Sequence, residues 1–194
     1  LKSDEAMAVG PYAVSNYYME SKKAQTEALR NAKKVILEIA EEYEKISGRK
    51  YGFFEEYKLD DADYAIVIIG SAAGTCKAAV DHIRVKTGKK VGILKIRVFR
   101  PFPEEEIAQA LKNVKSVAIL DRSEMFAGTG GPLGAEVTAA LYRAGMFKEV
   151  VNYIYGLGGR DITVGDFEDV YDELERMAKT HEVRENFKYI GLRE

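Results

Sequence analysis

Apolar residues recur along this chain in two patterns, one typical of helices and one typical of buried strands. Over 22–47 they step by three and four residues, which is the period of an amphipathic helix, and Gly48 follows as a C-terminal cap. From Tyr64 onward, short and wholly apolar runs alternate with segments of helical period. Such runs are typical of strands buried on both faces, so the pattern predicts strands joined by helices and a mostly parallel sheet.

The apolar runs divide the chain into predicted elements. Strands are predicted over 64–69, 91–98, 117–120 and 150–155, with a weaker edge strand over 51–57. The run over 150–155 is predicted to be the last strand, and the charged tail over 181–194 is expected to wrap the surface or a partner. Residues 1–21 show no period but contain Tyr12, Tyr17 and Tyr18, so we expect an extended arm.

The segments that follow the predicted parallel strands are rich in glycine and arginine. Because parallel strands end at one edge of a sheet, these segments are expected to share one rim, where open α/β sheets bind ligands or partners. The candidate site residues on this rim are Gly70, Ser71, Gly74, Thr75, Arg100, Arg122, Gly128, Gly130, Gly131, Gly158, Gly159, Arg160 and Asp161. The segment GSAAGT (70–75) could cradle a phosphate, although it matches neither the Walker lysine pattern nor the full dinucleotide fingerprint.

The central stretch, 116–140, runs from an apolar strand through a glycine loop into a helix that starts at Pro132. This order is compatible with an anion site at the helix start or with a simple corner of the fold, and we favour the corner. Some of the loop glycines are expected to need positive φ or a close backbone approach. Arg160 is expected to project between two loops and pair with Asp161 or a partner's carboxylate. If the rim is an assembly surface, Gly131→Val should block association and leave the domain folded.

Composition narrows the possible functions. A chain of 194 residues that is 46% hydrophobic predicts one domain with a sizeable core. A net charge of −2 argues against nucleic-acid binding, which typically requires a basic surface. No apolar run has the length that a membrane span needs. The single cysteine, Cys76, excludes a disulfide within the chain, which fits the cytoplasm, and excludes an iron–sulfur cluster built from this chain's own thiolates. Its alanine-rich neighbours predict a buried packing residue, and the Lys and Glu content suggests a thermophile.

Four segments in order, ADYAIVIIGSAAGT, VGILKIRVFRPFPEEEI, VAILDRSEMFAGTGGPL and VNYIYGLGGRDIT, carry a family resemblance. They resemble the C-terminal half of the α subunit of 2-oxoacid:ferredoxin oxidoreductases, pyruvate:ferredoxin oxidoreductase (pyruvate synthase) in particular. The resemblance implies a three-layer α/β/α, transketolase C-terminal-like domain with a five-stranded mixed sheet of order 1-3-2-4-5 and an antiparallel first strand. We assign this domain to 51–180, with an N-terminal arm and linking helix over 1–50 and a C-terminal tail over 181–194.

The resemblance implies a whole enzyme that converts pyruvate, CoA and oxidised ferredoxin to acetyl-CoA, CO2 and reduced ferredoxin. Thiamine diphosphate, Mg and [4Fe-4S] clusters are implied for that complex. The family's pyrimidine-binding domain would lie before Leu1, and its Gly-Asp-Gly motif for diphosphate and magnesium is absent from this sequence. We therefore expect no catalytic residue, no metal and no cofactor bound by this chain alone.

The expected role is an assembly domain whose partners are other subunits of the same oxidoreductase, with ferredoxin and CoA acting at the level of the complex. The alternative is a free-standing nucleotide- or CoA-binding module that uses the GSAAGT and GTGGPL segments.

Overall fold

Six strands form one sheet in the computed structural model, which describes residues 4–5, 10 and 14–193. The strands are β1 (Phe54–Tyr57), β2 (Tyr64–Ile69), β3 (Val91–Ile96), β4 (Ser116–Asp121), β5 (Glu149–Ile154) and β6 (Phe187–Tyr189). The helices are α1 (Tyr18–Ser47), α2 (Ala72–Thr87), α3 (Glu104–Ala110), α4 (Pro132–Arg143) and α5 (Val164–Thr180), with one 3-10 turn at Leu157–Gly159.

The strand order is β1-β3-β2-β4-β5-β6. Strand β1 pairs with β3 in the antiparallel sense, and the other strand pairs are parallel. The predicted order of the first five strands and the antiparallel first strand are therefore confirmed. Because the chain moves from β2 outward to β3 and then returns to β4 on the other side, the order reverses between β2 and β4.

The sixth strand corrects the prediction of a five-stranded sheet that ends at β5. Strand β6 adds to the edge of β5, with Asn152 opposite Phe187 and Ile154 opposite Tyr189. An unpaired strand edge leaves backbone donors and acceptors without partners, and three residues of the tail satisfy this edge. A run of three residues is too short to show a strand period in the sequence.

Two apolar layers cover the two faces of the sheet. Helices α2 and α5 pack on one face, and α3 and α4 pack on the other, which gives the predicted three-layer α/β/α arrangement. Thr163 and Asp166, three residues apart, form a capping box at the start of α5. In α2, Ala79 and Ile83 are buried and Ala78 is exposed.

Helix α1 differs from the other helices because none of its residues is buried. It begins at Tyr18, so Tyr17 and Tyr18 mark a helix start and not the predicted extended arm, while Tyr12 lies outside the described residues. Contacts with the body include an ion pair of 2.8 Å between Lys33 and Glu106. The predicted cap at Gly48 is confirmed by its left-handed backbone, with φ of 68°.

The attachment of β6 depends on Glu173 of α5, whose carboxylate is 2.8 Å from the ammonium group of Lys188 in β6. Hydrogen bonds from Arg176 and from Lys188 lower the pKa of Glu173 from its ordinary 4.5 to about 2. A carboxyl group whose pKa is depressed by folding stabilises the fold above its unfolded pKa. Its contribution is lost as the pH falls from 4.5 toward 2.

We expect Glu173→Gln at pH 7 to lower the hydrogen-exchange protection of residues 187–189 about 10-fold, because Lys188 loses a charged partner. The wild-type chain should show a similar loss between pH 5 and pH 3. The matched control is Glu175→Gln on the same helix, α5. This variant removes a carboxylate that pairs with Lys89 and Lys179, neither of which lies in β6. Equal loss of protection in both variants would contradict this role of Glu173.

Candidate functional site

The carboxyl ends of β2, β3, β4 and β5 lie at one edge of the sheet, since these four strands are parallel. The predicted rim is therefore present, and the reversal of strand order falls between the GSAAGT and GTGGPL segments. A cavity of about 240 Å³ lies at this reversal and is lined by residues that include Phe99, Asp121 and Leu133. Its volume is below the range of about 300–1,000 Å³ that small-molecule sites have.

A buried carboxylate occupies the helix start on this rim. Asp121, the last residue of β4, is 4% exposed. Its Oδ1 accepts a hydrogen bond from the backbone N–H of Leu133 at 2.9 Å, and its Oδ2 accepts one from Gly134 at 2.8 Å. These are N–H groups of the first turn of α4, where the helix dipole favours a negative charge.

Asn152 of β5 completes the arrangement and is 7% exposed. Its side-chain N–H groups donate to Oδ2 of Asp121 at 2.9 Å and to the carbonyl of Ile119 at 2.8 Å. Its Oδ1 accepts from the backbone N–H of Gly131 at 2.7 Å. Since Pro132 has no N–H and Ala135 donates to the carbonyl of Gly131, every donor at the start of α4 has an internal partner.

The glycines of this loop are required by the two polar side chains. A Cβ at Gly131 would lie 2.1 Å from Cγ of Asp121, and one at Gly134 would lie 2.6 Å from Cγ of Asn152. Gly130 has φ of +94° and is also in contact with Asn152. The prediction that loop glycines need positive φ or a close approach is confirmed. The expectation that Gly131→Val leaves the domain folded stays a prediction, although the added side chain would overlap Asp121 and is expected to destabilise the fold.

The occupied donors decide between the two interpretations of the GTGGPL segment. An anion that bound at this helix start would have to displace a carboxylate already held by two backbone N–H groups and an amide. The geometry therefore favours a corner of the fold over a phosphate site.

The GSAAGT segment is a junction between strand and helix. Gly70 follows β2 with φ of +87°, and Ser71 is the N-cap residue of α2 without a side-chain cap hydrogen bond. Helix α2 begins at Ala72, so Gly74 and Thr75 lie within its first turn. Only Gly70 and Ser71 of the segment therefore lie between the strand and the helix.

The rim arginines contact groups of this chain. Arg100 lies over the ring of Phe99 and is 2.7 Å from the carboxylate of Glu136. Nε of Arg122 donates to the carbonyl of Gly156 at 3.3 Å.

The last glycine segment also has the expected backbone, with positive φ at Gly158 and Gly159. Arg160 donates to the carbonyl of Gly191 in the tail, which corrects the predicted pairing with Asp161. Asp161 itself is exposed beside it.

The described residues do not fit the cofactors that the family resemblance implies. Within 4–5, 10 and 14–193, no three His, Cys, Asp or Glu side chains come together to hold a metal ion. Cys76 is buried against Tyr171, and burial raises the pKa of its thiol, so it is a packing residue as predicted. A diphosphate would meet the carboxylate of Asp121 at the α4 start. In the same part of the chain, no helix is long and apolar enough to span a membrane.

Asp121 and Asn152 are the two rim residues that we did not predict from the sequence. Asp121 ends the apolar run of β4, VAILD, and Asn152 interrupts the apolar run VVNYI of β5. A polar residue inside a buried strand requires a hydrogen-bond partner, and that signal could have identified both positions.

The strand order and the helix layers define a three-layer α/β/α domain. Residues 62–167 match the family described as pyruvate:ferredoxin oxidoreductase core domain II, and the chain belongs to this family, as the resemblance predicted.

Relatives agree with this assignment. The chain is 41% identical over 194 residues to pyruvate synthase subunit PorA of Thermotoga maritima, covering 100% of this chain and 48% of that protein. It is 40% identical over 191 residues to ketoisovalerate oxidoreductase subunit VorA of Pyrococcus furiosus, covering 98% and 48%. The chain thus spans about half the length of these curated relatives.

A solved structure with similarity is the 2-oxoglutarate:ferredoxin oxidoreductase from Magnetococcus marinus. The TM-score is 0.47 at 16% identity, and the match covers 70% of this chain and 21% of that chain.

We expect Asp121→Asn to lower the free energy of unfolding by about 2–3 kcal/mol. The three groups that face the carboxylate oxygens are all donors, so an amide N–H₂ in place of one oxygen leaves donors facing each other. Urea denaturation measures the loss. The control is the exposed Asp161→Asn on the same rim, which should change stability by about 0.5 kcal/mol or less. Similar effects of the two substitutions would show that the buried carboxylate is not required.

We expect Gly131→Ala to destabilise the fold by about 3 kcal/mol, since its Cβ would overlap Asp121. The matched control in the same loop is Gly128→Ala. Gly128 has φ of +66° but nothing within 4 Å of the added Cβ, so the cost should be about 1 kcal/mol of backbone strain. Thermal melts of both variants would measure the difference, and the reverse ranking would contradict the packing described here.

Proposed function

We propose that this chain is part of the α subunit of a 2-oxoacid:ferredoxin oxidoreductase of the pyruvate synthase type, where it serves assembly and not catalysis. Similarity over the full chain to pyruvate synthase subunits supports the enzyme class. One observation carries the assembly role: at the rim where an open α/β sheet would bind a ligand, Asp121 and Asn152 already satisfy the donors of the helix start.

The proposed whole enzyme converts pyruvate, CoA and oxidised ferredoxin to acetyl-CoA, CO2 and reduced ferredoxin. Thiamine diphosphate, its Mg ion and the [4Fe-4S] clusters would be held by other parts of the complex, which would also bind ferredoxin and CoA. The relatives include a ketoisovalerate oxidoreductase subunit at 40% identity. We therefore assign the choice of 2-oxoacid to parts of the enzyme outside this chain.

The residues of this chain contribute a rigid corner and the surface around it. Asp121 holds the start of α4 against β4 and β5. The loop between β4 and α4 carries Phe126, and backbone hydrogen bonds of Met125 with Gly130 and Gly128 close this loop. The side chain of Phe126 is fully exposed, and a large exposed apolar side chain is a suitable anchor for a neighbouring subunit. The body of this assembly unit is the proposed domain over 51–180.

We expect the tagged chain, isolated from cells that encode it, to be recovered in a heteromer that contains iron and thiamine diphosphate and reduces ferredoxin with pyruvate. Phe126→Asp should reduce recovery of the other subunits at least 10-fold, because a carboxylate would replace the apolar anchor. The control is Val85→Asp on α2, whose side chain is 88% exposed and lies away from the rim. Native mass spectrometry and identification of the co-purified proteins provide the readout.

The isolated chain gives a complementary measurement. Calorimetry should detect no stoichiometric binding of thiamine diphosphate, and no 2-oxoacid should be decarboxylated. Recovery of a lone chain with a bound nucleotide or CoA would instead support the alternative of a free-standing binding module. Recovery of the heteromer with Phe126→Asp at wild-type yield would exclude the rim as the assembly surface.

A further inference from the structure

Helix α1 carries an exposed apolar stripe that no described residue covers. The stripe consists of Ala24, Ala28, Val35, Ile39 and Ile46 of α1, together with Tyr17, the N-cap residue that precedes the helix. Ile39 is 59% exposed and Ile46 is 85% exposed, so the large side chains of the stripe remain in solvent. A helix that only links two parts of a chain can carry polar residues on every face. An exposed apolar stripe on such a helix therefore requires an explanation.

The stripe lies on a different side of α1 from the residues that touch the body. Lys33, Ile36 and Ala40 are half-buried and face the domain. At about 100° of rotation per residue, the stripe is centred roughly 120° away from them. A second helix can therefore pack along the stripe while α1 keeps its contact with the domain.

Consecutive stripe residues are separated by 7, 4, 7, 4 and 7 positions, so the spacing is symmetric about its midpoint. An antiparallel copy centred between Asn31 and Ala32 would therefore place each member opposite another member. The opposed pairs would be Tyr17 with Ile46, Ala24 with Ile39, and Ala28 with Val35. Two of these pairs set a small side chain against a branched one, and this allows close packing of helices.

The charges of α1 favour the same orientation. Residues 21–34 carry a net charge of +4, and residues 35–44 carry −4. An antiparallel pair would place each positive half along the negative half of the other copy, whereas a parallel pair would align like charges.

We propose that the stripe of α1 is the docking surface for the same stripe of a second copy of this chain, in an antiparallel helix pair. This inference uses α1 alone and does not depend on the function proposed for the rim. We choose a second copy as the partner because the stripe spacing and the charge distribution of α1 both match those of an antiparallel copy of the same helix.

Sedimentation of the full 194-residue chain across a range of concentrations tests the pairing. We expect a dimer for the wild type and a dissociation constant at least 100-fold higher for Ile39→Asp, which would bury a carboxylate against Ala24 of the other copy. The matched control is Leu37→Asp on the same helix. Leu37 is 40% exposed but lies outside the stripe, so this variant should dimerise as the wild type does. Circular dichroism would verify that both variants are folded.

Disulfide trapping tests the orientation. Mixing Ala28→Cys with Val35→Cys should give a cross-linked dimer, because the antiparallel register sets these positions opposite each other. Val35→Cys alone should cross-link poorly. In the antiparallel register, the Val35 positions of the two copies are offset by seven residues, about 10 Å along the helix. The native Cys76 is buried and should not interfere.

A wild-type chain that stays monomeric at all concentrations would overturn the proposal. A dimer that Ile39→Asp leaves intact would assign the contact to another surface and would also overturn it. Efficient cross-linking by Val35→Cys alone would exclude the antiparallel register. None of these outcomes bears on the heteromer that tests the proposed function, so the two can fail separately.

Discussion

The carboxylate of Asp121 is the group on which the rim of this domain depends. It accepts hydrogen bonds from two backbone N–H groups of α4 and from the amide of Asn152, and it is almost fully buried. A buried carboxylate is costly unless charge-assisted hydrogen bonds replace its water, and here the helix dipole adds to them. One side chain thereby joins β4, β5 and α4, and the glycines follow because nothing larger fits around it.

The same geometry explains why the start of α4 is unsuited to a phosphate or a thiamine diphosphate. Helix starts beside glycine loops bind anions in many α/β proteins because their N–H groups have no partner in the chain. In this domain the anion is supplied by the protein itself. Our proposal places the chemistry of the oxidoreductase in other parts of the complex, and the rim presents exposed apolar side chains such as Phe126.

The sequence predicted the fold better than the site, and the reason is the range of the interactions. Wholly apolar runs identified the buried strands, because burial on two faces constrains every residue of such a strand. The strand order came from the family resemblance and not from the periodicity. The pairing of Asp121 with Asn152 joins residues that are 31 positions apart, and no local pattern encodes it. The edge strand β6 escaped prediction because only the open edge of β5 gives its three residues a reason to be extended.

The contrast between the rim and α1 indicates where recognition can occur on this molecule. At the start of α4 the backbone donors are satisfied within the chain, so a partner gains little by offering them hydrogen bonds and must contact apolar surface instead. On α1 the stripe residues are exposed although the helical period would allow them to be buried. Burial of such side chains gives about 25 cal/mol for each Å² removed from water, and a stripe that repeats along a helix adds these contributions in register. The stripe of α1 and the exposed Phe126 at the rim are therefore two separate apolar surfaces, and each can bury area against a different partner.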